Sequence, residues 1–295
     1  MARLAILTSG GDYSERILVG LSMIGVIPDT VLIVRSASAR PDERMNAVKK
    51  MLSRRQPGEV LTAAAHLLAR GLRRRTNTSD QNLERFSGFA RRTIHAGPLN
   101  GERMLDLLRA DAPDYLLMAG SGILAEEALT IPSRGVINVH PGLLPWVRGV
   151  GVVEGGLLRR LPVGITAHFV DAGIDTGDII HRELVPVQEV DTVGSLRRKA
   201  YELCARTMVE LASAAVHGHV PVGFRQEERY PYCRWPALAE RNRVASEVRK
   251  GLARKLYLQW RSITGSDVLP RIINDRPPIL IQGIPNGQLP QTSTE

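Results

Sequence analysis

Three side chains of complementary chemistry stand beside tight turns in the middle of this sequence. Asn138 and His140 open the run Asn138-Val139-His140-Pro141-Gly142-Leu143-Leu144-Pro145, and Asp175 lies within Asp171-Ala172-Gly173-Ile174-Asp175-Thr176-Gly177-Asp178. An amide N–H can donate to an oxygen that is gaining charge, and an imidazole can donate or accept. A carboxylate can hold that imidazole or a bridging water and raise the ring's basicity. Together they offer a donor for developing negative charge and groups that can hold or move a proton. Val139 separates Asn138 from His140, so on an extended segment both side chains point to one side, and Pro141 then turns the chain. Taken singly, each residue has a plain structural reading. Asn or His at a strand end is commonly a turn or capping residue, and Asp before Thr-Gly is a common Asx turn. Their combination and order favour chemistry.

Elements able to position such a set are legible around it. Residues 4–8, 30–34, 115–119, 135–139 and 164–170 are short apolar runs that read as strands. Residues 14–24, 101–109 and 150–158 carry helical patterns between them, and residues 192–217 read as a long helix closing a core domain. Strands alternating with helices imply an α/β, Rossmann-like, mostly parallel sheet with helices on both faces. Ligands in such sheets bind beyond the carboxyl ends of the strands, where His140 and Asp175 are both expected. Residues 1–224 therefore read as a catalytic domain, and residues 36–92 as a basic helical insertion within it, with helices at 44–54 and 61–73. Residues 225–284 form a helical extension, opened by the aromatic loop Tyr230-Pro231-Tyr232-Cys233-Arg234-Trp235-Pro236. Residues 285–295 have the composition of a disordered tail. No internal repeat is evident.

The bulk numbers set limits. The chain has 295 residues, 43% hydrophobic and 23% charged, enough for a substantial core. No apolar run reaches the roughly 20 residues of a membrane span, and the first residues read as a strand rather than a leader. Two cysteines, Cys204 and Cys233, make neither a disulfide framework nor a zinc site, which fits a reducing cytoplasm. The net charge of +9 is concentrated: between Arg35 and Arg92 stand 14 lysines and arginines against 5 acidic residues. Such an excess points to an anionic partner, the competing reading being a solvated helical face.

The two clusters resemble the active site of the formyltransferases that use 10-formyltetrahydrofolate, a group including glycinamide ribonucleotide, methionyl-tRNA and amino-sugar formyltransferases. The resemblance covers roughly residues 100–187 well and the first 30 residues more weakly. It implies the formyltransferase fold, with Asn138, His140 and Asp175 as catalytic residues, 10-formyltetrahydrofolate as co-substrate and no metal. Residues 114–124 are similar to the strand and loop that cradle the pteridine, which assigns Ser121, Gly122, Ile123 and Leu124 to the folate. Val170, Asp171, Ala172 and Gly173 are similar to the second folate loop. His168 matches a histidine common on that strand, with a structural role equally open. Trp146-Val147-Arg148-Gly149 continues the motif as in the transfer RNA and sugar enzymes, so Arg148 and Gly149 are expected on the acceptor side. Ser9, Gly10 and Gly11 partly resemble a phosphate-binding loop. Gly142 departs from the family, in which a serine usually follows His-Pro.

The acceptor implied is a primary amine on a small, anionic molecule, first a nucleotide-linked amino sugar, because arginine-rich surfaces suit pyrophosphates. An RNA acceptor, initiator transfer RNA, is the alternative that the charge favours. Against it, the sequence after residue 225 lacks the alternating strands of a β-barrel RNA-binding module. A hydrolase releasing formate from the same folate would use the same three residues. A non-catalytic nucleic-acid-binding protein would leave them unexplained. No membrane partner is expected, and a homodimer is compatible with the sequence.

Overall fold

The computed structural model describes residues 1–35, 79–220, 222–226 and 230–269. The helices expected at 44–54 and 61–73 and the tail at 285–295 lie outside the described residues. Nine strands and eight helices are found among the described ones. In chain order they are β1 (Leu4–Thr8), α1 (Asp12–Met23), β2 (Thr30–Arg35), α2 (Ser79–Phe86), β3 (Arg92–Pro98) and α3 (Glu102–Asp111). Next come β4 (Tyr115–Ala119), α4 (Glu126–Leu129), β5 (Gly135–His140), β6 (Arg148–Gly149) and α5 (Val152–Leu158). The chain continues through β7 (Gly164–Phe169), β8 (Ile179–Leu184), α6 (Val193–Val216), β9 (Tyr232–Cys233), α7 (Leu238–Arg249) and α8 (Leu252–Thr264).

Seven strands form one sheet in the order β3-β2-β1-β4-β5-β7-β8. The first five pair in parallel, and β7 and β8 add on as antiparallel strands. The mostly parallel α/β architecture expected from the alternating pattern is thus present. Every residue of β1 and of β4 is buried, because central parallel strands are covered on both faces. Their side chains divide by the two-residue period of a strand. Leu4, Ile6, Val31, Ile33, Leu117 and Ile137 face a core shared with α1, α6 and the C-terminal helices. Ala5, Leu7, Leu32, Val34, Leu116 and Met118 face a second core closed by α3 and α4. Fully burying one such aliphatic side chain is worth about 1.5–3 kcal/mol.

The long helix α6 starts on a capping box, with Thr192 Oγ1 accepting from the Ser195 amide and Ser195 Oγ accepting from the Thr192 amide. The C-terminal helices join the first core through Trp260, which packs edge-on against Trp146 at 5.3 Å between ring centroids. Within the helical extension expected from residue 225, the described residues form two helices. Gly251, at φ 89°, ends the first and begins the second.

One expectation about the site is corrected. The turn bearing Asp175 does not follow a parallel strand. β7 runs antiparallel to β5, with Phe169 opposite Ile137 and Thr166 opposite His140. The end of β7 therefore points away from His140, and the hairpin connecting it to β8 must fold back.

Candidate active site

Asn138 and His140 occupy alternate positions of β5, on one side of the strand as their spacing requires. The fold-back of the β7–β8 hairpin brings Asp175 to them. Asp175 adopts a left-handed backbone at φ 54°, uncommon for a residue with a side chain and tolerated best by Asn and Asp. Asp171 organises the turn as an Asx unit, its Oδ1 accepting from the Gly173 amide at 3.1 Å and from Thr176 Oγ1 at 2.6 Å.

The resulting geometry links four side chains. His140 Nδ1 lies 3.6 Å from Asp175 Oδ2, and His168 Nε2 lies 3.8 Å from Asp175 Oδ1. His140 Nε2 donates to the Val147 carbonyl at 2.9 Å. Nε2 of His140 is thus fixed by a hydrogen bond to backbone, while Nδ1 faces the Asp175 carboxylate beyond direct hydrogen-bond distance. His168 is wholly buried, and that burial lowers its pKa against the opposing pull of Asp175. The neutral ring donates from Nδ1 to the Phe169 carbonyl at 2.7 Å, which leaves Nε2 as an acceptor for Asn138 Nδ2 at 3.3 Å. His168 therefore orients the Asn138 amide, and the second N–H of that amide stays available.

Gly142, where the resemblance expects serine, has a specific consequence. A Cβ there would stand 2.8 Å from both His140 Nε2 and the Val147 carbonyl oxygen. Its absence permits the hydrogen bond between them.

Asp175 is held from outside its own turn. The Gly149 amide donates to Asp175 Oδ2 at 2.8 Å. Arg148 donates from Nε and Nη2 to the Ile174 carbonyl and from Nη1 to the Tyr230 carbonyl. Its guanidinium is turned inward as a clamp on backbone, a different use from the acceptor contact expected of it. Gln226 Nε2 donates to the carbonyls of Asp175 at 3.2 Å and Gly177 at 2.7 Å.

The residues expected at the folate flank this centre. Ser121, Gly122, Ile123 and Leu124 follow β4, the neighbour of β5, and Val170, Ala172 and Gly173 follow β7. Asn100, left-handed at φ 61°, pins the first loop by donating to the Ile123 carbonyl and accepting from the Ala125 amide. Leu124 is buried, Ile123 is exposed, and Val170 packs against the second core, to which Leu124 and Leu99 belong. Ser121 Oγ is buried with no hydrogen-bond partner among the described residues. A polar atom left open beside an apolar wall fits a flat heterocycle bearing donors and acceptors.

The loop of Ser9, Gly10 and Gly11 is engaged internally. Ser9 Oγ donates to the Gly120 carbonyl, the Gly10 amide donates to Thr8 Oγ1, and Asn82 packs against Gly10. The first turn of α1 carries Asp12 and Glu15, both paired with Arg85. An anion approaching this helix end meets two carboxylates.

Asn100, Gln226 and the aromatic loop at 230–236 were not assigned roles from sequence. The Asn100-Gly101 pair was a readable turn signal. Gln226 carried none, because its partners are backbone atoms about 50 residues away.

The family model described as formyl transferase matches residues 40–211. A methionyl-tRNA formyltransferase of Ralstonia nicotianae is 37% identical over 138 residues, 46% of this chain and 42% of that protein. A methionyl-tRNA formyltransferase of Methylacidiphilum infernorum is 36% identical over 111 residues, 37% of this chain and 35% of that protein. The chain spans about two-fifths of the length of these curated relatives. Among solved structures, glycinamide ribonucleotide transformylase 1 from Symbiobacterium toebii superposes with a TM-score of 0.52 at 23% identity. That match covers 78% of this chain and 95% of the other, and the likeness is one of fold. With more than half of its length matched by the family model, the chain belongs to the formyl transferase family.

Proposed function

We propose that this protein is an N-formyltransferase that moves a formyl group from 10-formyltetrahydrofolate to the primary amine of a small anionic acceptor, a nucleotide-linked amino sugar. The observation that carries the reading is the meeting of Asn138, His140 and Asp175 through a hairpin that has to fold back to achieve it. The folate supplies an electrophilic formyl carbon and a nitrogen that departs. Asn138, oriented by His168, donates its remaining N–H to the formyl oxygen as that oxygen gains charge. His140, held through Nε2 by the Val147 carbonyl, keeps Nδ1 beside Asp175, where it can take part in moving the proton. Asp175 accepts the proton released by the attacking amine, directly or through one water, and the proton is passed to the departing nitrogen. Proton and charge balance without a covalent enzyme intermediate or a metal.

A small acceptor is favoured by the C-terminal region, whose described residues form two helices and a two-residue strand rather than a barrel. A transfer RNA acceptor is the second reading, favoured by the names of the curated relatives and by the charge concentrated at 35–92. A cytoplasmic location fits the free, buried thiols of Cys204 and Cys233. No helix among the described residues is long and apolar enough to cross a membrane.

The test is a panel of amines offered to the protein with 10-formyltetrahydrofolate carrying a labelled formyl group. A labelled amino-sugar nucleotide is the expected product. Labelled methionyl-tRNA would establish the second reading, and labelled formate alone would show hydrolysis and remove both.

A further inference from the structure

The aromatic loop at 230–236 is not a remote appendage. β9 pairs in parallel with β6, Tyr232 opposite Arg148 and Cys233 opposite Gly149, and the Val150 amide donates to the Cys233 carbonyl. The chain before β9 is bound to the catalytic turn through Gln226, and Phe224 exchanges two backbone hydrogen bonds with Ile179. Residues 224–226 therefore lie beside the Asp175 turn, and Tyr232 and Cys233 lie along Arg148–Gly149. Tyr232 sits on Gly149 itself: a Cβ there would lie 2.4 Å from a ring carbon of Tyr232. The amide of that same glycine holds the Asp175 carboxylate. The Tyr232 ring is thus one residue from the group that receives the amine's proton, and Tyr232 is 40% exposed.

Three residues further along stands Trp235, 58% exposed, with the Arg197 guanidinium over its ring at 5.7 Å. Three extended residues span at most about 10 Å, so the two rings mark a short path leading away from the reaction centre. Arg234, exposed, lies between them in sequence. A large exposed tryptophan beside cations and a catalytic centre is a stacking platform for a planar ring joined to phosphates.

We infer that Tyr232, Arg234 and Trp235 form an acceptor subsite that takes the nucleoside diphosphate part of the substrate, with the base on Trp235 and the sugar bearing the amine beside Tyr232. This subsite rests on the small-acceptor reading of the function and gives it a location.

The sequence supplies a reporter. Of its three tryptophans, Trp146 and Trp260 are buried at 1% and 0% exposure, so quenchable fluorescence comes from Trp235. The experiment titrates the diphosphates of uridine, thymidine, cytidine, guanosine and adenosine into the full chain. Fluorescence and calorimetry are recorded, and 5-formyltetrahydrofolate binding is measured on the same samples. At least one nucleotide is expected to quench the fluorescence. Tyr232→Ala and Trp235→Leu should each weaken that nucleotide about tenfold, and Trp235→Phe should retain calorimetric affinity. Folate-analogue binding should hold constant throughout, which also certifies the fold of each variant. Failure of all five nucleotides to bind, or unchanged affinity in Tyr232→Ala and Trp235→Leu, would overturn the subsite. Failure of the folate analogue to bind the unaltered chain would instead count against formyl transfer, whatever the nucleotides did.

Discussion

His140 sits between the Val147 carbonyl and the Asp175 carboxylate, and its usefulness depends on keeping that orientation. Alanine at Asn138, His140 or Asp175 should each lower kcat by roughly 10²-fold or more, the usual scale for losing an oxyanion donor or a proton-transfer group. Double variants should lose far less than the product of the single losses, since the groups act as a unit; steady-state kinetics with both substrates saturating checks this. Gly142→Ala places a methyl group between His140 Nε2 and the Val147 oxygen. The expected result is a fall in kcat of roughly tenfold to a hundredfold with folate affinity intact, since a displacement of about 1 Å is enough for such an effect. His168 offers a different readout. Burial depresses its pKa below the ordinary 6.5, so below that value the unfolded chain binds the proton more readily than the folded one. The stability tied to its neutral state is complete above pH 6.5 and is lost as pH falls through the unfolded value toward the folded one. The melting temperature should therefore drop between about pH 7 and pH 5, and drop less in His168→Gln.

At the scale of elements, the site depends on a turn held by its neighbours. Gln226, Arg148 and the Gly149 amide together grip residues 174–177, and Asp175 needs that grip because its backbone is left-handed. Gln226→Ala should lower kcat by roughly tenfold by loosening the turn that carries Asp175, as read by steady-state kinetics. The amino-acid pattern made much of this scale readable. The strands Leu4–Thr8 and Tyr115–Ala119 announce themselves as apolar runs, and α6 is marked by Thr192 at its cap. The strand β8, Ile-Ile-His-Arg-Glu-Leu, escaped notice because it places a charged pair in a sheet position. There Arg182 is buried against the rings of Trp146 and Phe224, and the hydrogen bond from His181, with Arg206, lowers the pKa of Glu183. Strand direction was also hidden. The two-residue period is the same for parallel and antiparallel neighbours, so nothing local distinguished β7 from the strands before it. Asn138, His140 and Asp175 were legible because their types and order are unusual. Gln226 and Tyr232 were not, because their partners are set by the tertiary path of the C-terminal segment.

Across the whole molecule, the C-terminal helices and the loop after β5 share one core. Trp260 packs on Trp146, which immediately precedes the Val147 carbonyl that anchors His140. Trp260→Ala should cost about 3–5 kcal/mol of stability by leaving a large cavity, measured by denaturant unfolding. It should also reduce turnover through displacement of Val147, although residue 260 is distant from Asn138 in sequence. The charge of the molecule bears on the acceptor. A shallow dependence of acceptor KM on salt is expected for one or two phosphate contacts, and a steep one for transfer RNA. The most direct trial of the central claim is a comparison of formyl transfer in the unaltered protein and in His140→Ala. Both are given labelled 10-formyltetrahydrofolate and the same amine panel at saturation. The expected result is a labelled formamide product from the unaltered protein and its loss by roughly 10²-fold in the variant. Turnover in His140→Ala equal to that of the unaltered protein, with folate binding intact in both, would contradict the assignment of this site to formyl transfer.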